Sequence, residues 1–264
     1  MNSSLTRIVF GVIALIAVSA GSNVLAQATI DQNRAVNGSV TPGDAPGFPI
    51  TLSQRGSYKL TGNLVVPAAT GAILVTASDV SIDLNGFTIT GANTCSGYGA
   101  TVACTNTGSA AGIEAAAGVT DVQVRNGTVE GFEKAGLWLN QRSTVDRVKS
   151  RFNDGYAIVV RADSSVGNSW VERNGGGVYS EGGLVFDTIA SGNRVSGIVV
   201  SVPADGALLR NNVATHNGIY GLFGSANHTT FMDNQANKNT NGNIKRNPNI
   251  SPLLPGNVCN GGAC

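Results

Sequence analysis

The chain has 264 residues, a formal net charge of +1, 12% charged residues and 35 glycines. Its scattered Lys and Arg lack the concentrated basic surface that nucleic acid or an anionic membrane requires. A helical bundle is excluded as well, because no 3.6-residue apolar period runs through the chain, whereas Asn, Ser, Thr, Val and Gly suit short strands joined by tight turns.

Met1 to Arg7 is short and basic, Ile8 to Ala20 is apolar, and Ala26-Gln27-Ala28 is a small-x-small site. This pattern predicts a secretory signal peptide over residues 1–28, cut after Ala28, and a secreted or periplasmic mature chain. The apolar run is short for a membrane span, so no membrane partner is expected after cleavage. Residues 29–55 carry Asn37-Gly38, Pro42-Gly43-Asp44 and Pro46-Gly47 and read as an irregular lead-in that caps the open end of a repeat stack. A parallel β-helix is expected over 56–246. A Gly/Ser/Thr-rich loop insertion at 92–111 breaks its period, and 247–264 forms a C-terminal tail. Cys95 and Cys104 share the insertion, and Cys259 and Cys264 share the tail. Local pairing within each is favoured among the three connectivities, and export permits it. Zinc is the competing reading, but no Cys-x-x-Cys or His pair accompanies these cysteines, and no metal is assigned.

From residue 145 onward one pattern recurs: Val145-Val148-Ser150-Asn153-Ile158, Val166-Ser169-Val171-Asn174, Val185-Thr188-Ala190-Asn193-Ile198, Leu209-Asn212-Ala214-Asn217-Leu222 and Phe231-Asn234-Ala236-Asn239-Ile244. Successive Asn residues (Asn153, Asn174, Asn193, Asn217, Asn239) lie 21, 19, 24 and 22 positions apart. A period near 20 with no room for crossover helices predicts strands stacked directly on their equivalents about 4.8 Å away. About eight such coils make a right-handed all-β solenoid whose stability is shared between neighbours and whose ends need caps. The Asn column reads as a structural ladder: an inward amide satisfies the backbone groups stranded at a turn, and Asn tolerates the left-handed conformation of tight turns.

The repeats resemble the right-handed parallel β-helix of the pectate-lyase-like superfamily over roughly residues 56–246. The residues that carry the likeness are Asp83-Leu84-Asn85-Gly86-Phe87-Thr88-Ile89, Val124-Arg125-Asn126-Gly127-Thr128-Val129 and the joints at Asn193–Ile198 and Asn217–Leu222. Gly56 to Leu64 is similar to the opening coil of secreted bacterial β-helix proteins of unassigned function. The resemblance implies the fold. It does not choose among lyases, hydrolases, epimerases, adhesins and non-catalytic members.

Within that superfamily, lyases hold Ca²⁺ through carboxylates on adjacent coils and use an Arg as base. The column six before each ladder Asn reads Arg147, Asn168, Asp187, Asn211, Asp233, and its two acids lie about 9.6 Å apart, so a Ca²⁺ site is not supported and no cofactor is expected. Asn239-Thr240-Asn241-Gly242 resembles the first polygalacturonase motif, but Asn241 replaces the acid that hydrolysis needs. The remaining polar cluster is Arg151, Glu172, Arg173 and His216, with Lys238 beyond. It could supply acid–base chemistry and a carboxylate clamp, and equally reads as a solvated face with an Arg151–Glu172 ion pair.

The apolar triplets supply a second feature. Their middle residues Trp138, Val159, Tyr179, Val199 and Phe223 point outward in one column flanked by Glu114 and Lys245, so Trp138, Tyr179 and Phe223 form a candidate stacking stripe for a polysaccharide. The tail (Ile250, Leu253, Leu254) or the 92–111 flap are the segments that could cover it. Three readings are open: a non-catalytic polysaccharide-binding protein, a divergent polysaccharide lyase or hydrolase, and a structural or adhesion module that self-associates through the stripe.

Overall fold

A computed structural model describes residues 27–105, 108–201, 205–225, 227–246 and 251–264; the expected signal peptide lies almost wholly outside them. The chain is a β-solenoid of about nine turns, one more than the spacing of the repeats suggests. Nine parallel strands, from Ile50–Leu52 through Ile73–Val75 and Tyr156–Val160 to Gly242–Arg246, form one face. A 17-stranded sheet folds round the other two faces as two strips, represented in one coil by Ser165–Gly167 and Trp170–Glu172. Eight spacings of about 4.8 Å give a rod about 38 Å long.

The ladder begins earlier than residue 56. Ala28–Ile30 pairs in parallel with Tyr58–Leu60, and Ile50–Leu52 with Ile73–Val75. These strands are only three residues long, too short to show alternation in the sequence. Cleavage after Ala28 would remove the residue that pairs with Tyr58. At the other end, Val258–Cys259 of the tail extends the 17-stranded sheet beside Gln235–Ala236.

The core follows from the two-residue alternation. Val145, Val166, Val185, Leu209 and Phe231 fill one inward column, and Val171, Ala190, Ala214 and Ala236 another, all at 0–1% exposure. Each large side chain so buried contributes about 1.5–3 kcal/mol. Small residues sit beside the ladder because the interior narrows there.

The ladder is hydrogen-bonded through its whole length. From Asn174 through Asn239 each Oδ1 accepts from both the backbone N–H and the Nδ2 of the Asn one coil earlier, at 2.9–3.1 Å, and Asn153 Oδ1 starts the run by accepting from Phe132 N at 3.0 Å. Asn243 closes it by accepting from Asn239. One expectation is corrected. The left-handed residue at this corner is the one before each Asn: Phe152, Arg173, Gly192, His216 and Lys238, with φ between 53° and 63°. The preceding corner is likewise turned by Arg147, Asn168, Asp187, Asn211 and Asp233, with φ of 48–54°. The second of these columns is accordingly rich in Asn and Asp, which adopt that conformation readily.

A second amide ladder runs five positions earlier, where Asn212 Oδ1 accepts from Thr188 N and Asn234 Oδ1 accepts from Asn212 N and Nδ2. Asn257 of the tail ends it by accepting from Asn234.

Candidate functional site

The outward stripe is one continuous column. Register runs Glu114, Trp138, Val159, Tyr179, Val199, Phe223, Lys245 without a break across the nine-stranded face. The column is less open than its sequence implies. Val159 and Val199 are only 3% and 6% exposed, and Trp138, Tyr156 and Tyr179 pack against the cluster that holds Val159. The aromatics remain half-buried. A parallel column adds two more rings: Tyr156 meets Tyr179 edge-on at 5.4 Å, and Tyr220 lies 5.4 Å from Phe223. Gly176 makes room for the Tyr156 ring, since a Cβ there would meet it. Burial, with a smaller contribution from Tyr179, holds the Tyr156 phenol above its ordinary value. Lys134 sits 4.3 Å above the Trp138 ring and pairs with Glu114 at 2.7 Å, so one end of the stripe is charged.

Ala111, the last residue of the expected insertion, is a strand residue clustered with Val159 beside the stripe, whereas the described tail and the cysteine hairpin are held elsewhere. Leu253 bridges to Phe231 and Leu254 N donates to Phe231 O, at the end of the other sheet. Ile250 lies outside the described residues. The flap crosses a different corner.

That flap is a hairpin, Cys95–Ser96 against Ala103–Cys104, closed by the Cys95–Cys104 disulfide; Cys259 and Cys264 form the other bridge. Tyr98 at its tip shares a 2.6 Å hydrogen bond with Ser191 Oγ, and Gly99 N donates to Gly192 O at 2.8 Å. The Tyr98 ring lies between two of the polar candidates, 5.4 Å from the Arg173 guanidinium and 5.7 Å from the His216 ring. Arg173 and His216 are thus corner residues separated by an aromatic plug. Arg151 and Glu172 stand on neighbouring coils, 4.0 Å apart, but their shorter contacts are elsewhere: Arg151 to Glu130 at 2.6 Å and Lys149 to Glu172 at 3.0 Å. The four candidates form a charge ladder beside a plugged corner and do not converge on one open cavity.

A third feature is not evident from the sequence. Asp83, Arg125 and Asp146 occupy equivalent positions on three consecutive coils, and Arg125 and Asp146 line a cleft with Gln123, Arg147 and Phe186. Asp146 lies seven before Asn153, one position before the corner residue Arg147, and that single step moves from a turn residue to an outward strand residue; the coils of Asp83 and Arg125 carry no ladder Asn. Burial opposes ionisation of Asp83. Hydrogen bonds from Asn85 N at 2.9 Å, Asn126 Nδ2 at 3.2 Å and Arg125 Nε at 3.3 Å outweigh it and hold the carboxyl below its ordinary range. A depressed folded-state value stabilises the protein above the unfolded value of about 4 and is lost as pH falls through the folded one. Denaturant titrations between pH 2.5 and 6 should therefore show stability declining at the acid end, with a shallower decline in Asp83→Asn.

The chain matches no protein-family model and no curated protein. Among solved structures it is similar to the A-module of the mannuronan C-5 epimerase AlgE4 of Azotobacter vinelandii, at 13% identity and a TM-score of 0.46, over 82% of this chain and 76% of that one. At that level of likeness nothing about activity transfers.

Proposed function

We propose that this is a secreted β-helix protein that binds polysaccharide without turning it over, through the aromatic face centred on Trp138, Tyr179 and Phe223. The observation that carries this reading is the unbroken outward register of that column, with its second row of rings. Rings recur every second coil, about 9–10 Å apart, a spacing that suits successive units of an extended sugar chain. Half-buried rings held by neighbours lose little freedom on binding, which favours retention. The test is a polysaccharide panel scored for both retention and released products, with and without Ca²⁺. Retention without products is expected, and Tyr179→Ala should weaken it about tenfold, the effect of losing one stacking contact of about 1–1.5 kcal/mol. Retention unchanged in Tyr179→Ala and Trp138→Ala would sink the stripe as the site.

A divergent polysaccharide-active enzyme is the second reading, favoured by the acid–arginine–acid column at Asp83, Arg125 and Asp146, of which Arg125 and Asp146 line a cleft. It predicts products in the same panel that disappear in Asp146→Asn while the protein stays folded.

A further inference from the structure

Three ion pairs frame the aromatic face. At the Trp138 end, Lys134 and Glu114 pair at 2.7 Å. Beside the second row of rings, Arg194 reaches back two coils to Asp154, two residues before Tyr156, and meets its carboxylate at 2.9 Å. Its guanidinium also donates to Asp154 O at 2.9 Å. On the opposite flank, Arg161 and Glu181 follow Val159 and Tyr179 by two residues, with Val160 and Ser180 buried between. Both therefore point to the outer side, about 7 Å along the strand from the stripe. Their side chains meet in a short ion pair across the two coils.

Hydroxyls continue that flank. Ser201 N donates to Ser180 O and Ser225 N to Val200 O, so Ser201 and Ser225 hold the register of Glu181 on the next two coils. Ser225 Oγ donates to Val200 O at 3.2 Å, which leaves its lone pairs to accept from a ligand. Lys245, exposed beyond Phe223, has no ion pair among the described residues. Along the rings themselves, Lys134, Arg161 and Arg194 each already have a carboxylate.

These pairs discriminate between classes of glycan. A uronan carries a carboxylate on every unit. Laid on the rings, it meets Glu114, Asp154 and Glu181 while the cations beside them are already engaged, and like charges so placed repel. A neutral chain presents hydroxyls, which both donate and accept. They match the Glu181 carboxylate, the Arg161 guanidinium and the Ser225 hydroxyl, and bring no charge to neutralise. We infer that this face, on the reading that its rings hold the glycan, takes an uncharged polysaccharide, with Arg161 and Glu181 as specificity-determining residues.

The full chain is passed over immobilised hydroxyethyl cellulose and glucomannan, both neutral, and over polygalacturonate and alginate, both uronans. Retention by the neutral pair is expected, unchanged between about 50 and 500 mM NaCl, with the uronans passing it by. Glu181→Gln removes a charged acceptor and leaves Arg161 unpaired. It should weaken neutral retention about fivefold and create uronan retention that salt abolishes, with folding checked by thermal melting. Glu114→Gln frees Lys134 at a more exposed carboxylate, 34% against 16% for Glu181, and should create the same salt-sensitive uronan retention. Uronan retention by the unmodified chain that exceeds neutral retention and is lost in Tyr179→Ala would overturn the neutral assignment and leave the aromatic site standing. So would a Glu181→Gln variant that treats both classes as the unmodified chain does. Neutral retention that survives Tyr179→Ala, or retention of neither class, would instead bring down the aromatic site and the neutral assignment with it.

Discussion

Replacing Asn193 with alanine is expected to cost about 3–5 kcal/mol, a large part of the stability of a single domain. Asn193 is fully buried at the centre of the ladder. Its Oδ1 accepts from Asn174 N at 3.0 Å and Asn174 Nδ2 at 3.1 Å, and its Nδ2 donates to Asn217 Oδ1 at 3.0 Å and Val171 O at 3.3 Å. Alanine leaves two donors from the coil before without an acceptor, and each buried unpaired group costs about 1–3 kcal/mol. The cavity left by the lost amide adds to this. A melting temperature lower by roughly 10 °C should follow. His216→Asn is the control at the exposed corner: Asn adopts the left-handed conformation readily, so a change within about 0.5 kcal/mol is expected there. Comparable losses for the two variants would show that the ladder is not what holds the coils together.

Gly192→Ala should detach the flap. The other members of its corner column are Phe152, Arg173, His216 and Lys238, all left-handed, so backbone conformation alone does not require glycine. The Tyr98 ring does, because a Cβ on Gly192 would fall within it. Displacing the ring also breaks its hydrogen bond to Ser191 and pulls Gly99 N away from Gly192 O. Overpacking of this kind costs about 1–3 kcal/mol, and the flap is the part free to yield. Limited chymotrypsin digestion after Tyr98, read on reducing gels because Cys95–Cys104 spans the cut, should accelerate at least about tenfold. In a double-mutant cycle, Tyr98→Ala should absorb most of the Gly192→Ala penalty, with a coupling of about 1 kcal/mol or more. Additive effects would mean that the left-handed strain at Gly192 matters and the ring does not.

Residues differ in how much of this was legible. The ladder Asn residues were, because a buried amide repeated each coil leaves its period in the chain. The second ladder at Asn212, Asn234 and Asn257 was half hidden, since Ser169 and Thr188 fill its earlier coils with a hydroxyl in place of an amide. The outward stripe was legible because strand alternation places Trp138, Tyr179 and Phe223 on one side. Its actual exposure was not, because Val159 is covered by Trp138 and Tyr179 on adjacent coils and by Tyr156 on its own. Arg173 and His216 suggest chemistry in the sequence, yet their column answers a backbone requirement at a corner. Asp83, Arg125 and Asp146 stayed hidden because the coils of Asp83 and Arg125 carry no ladder Asn to set their register against Asp146.

By itself, then, the amino-acid sequence determined the solenoid, its period and which side chains face outward, since each of these depends on local alternation and spacing; it favoured the local pairing of the cysteines, which the structure shows. Only the tertiary structure decided where the flap lands, which corner Tyr98 plugs and how the tail meets the end of the stack. Those outcomes depend on contacts between residues far apart in the chain, such as Tyr98 and Ser191, separated by 93 positions, and no local pattern encodes them.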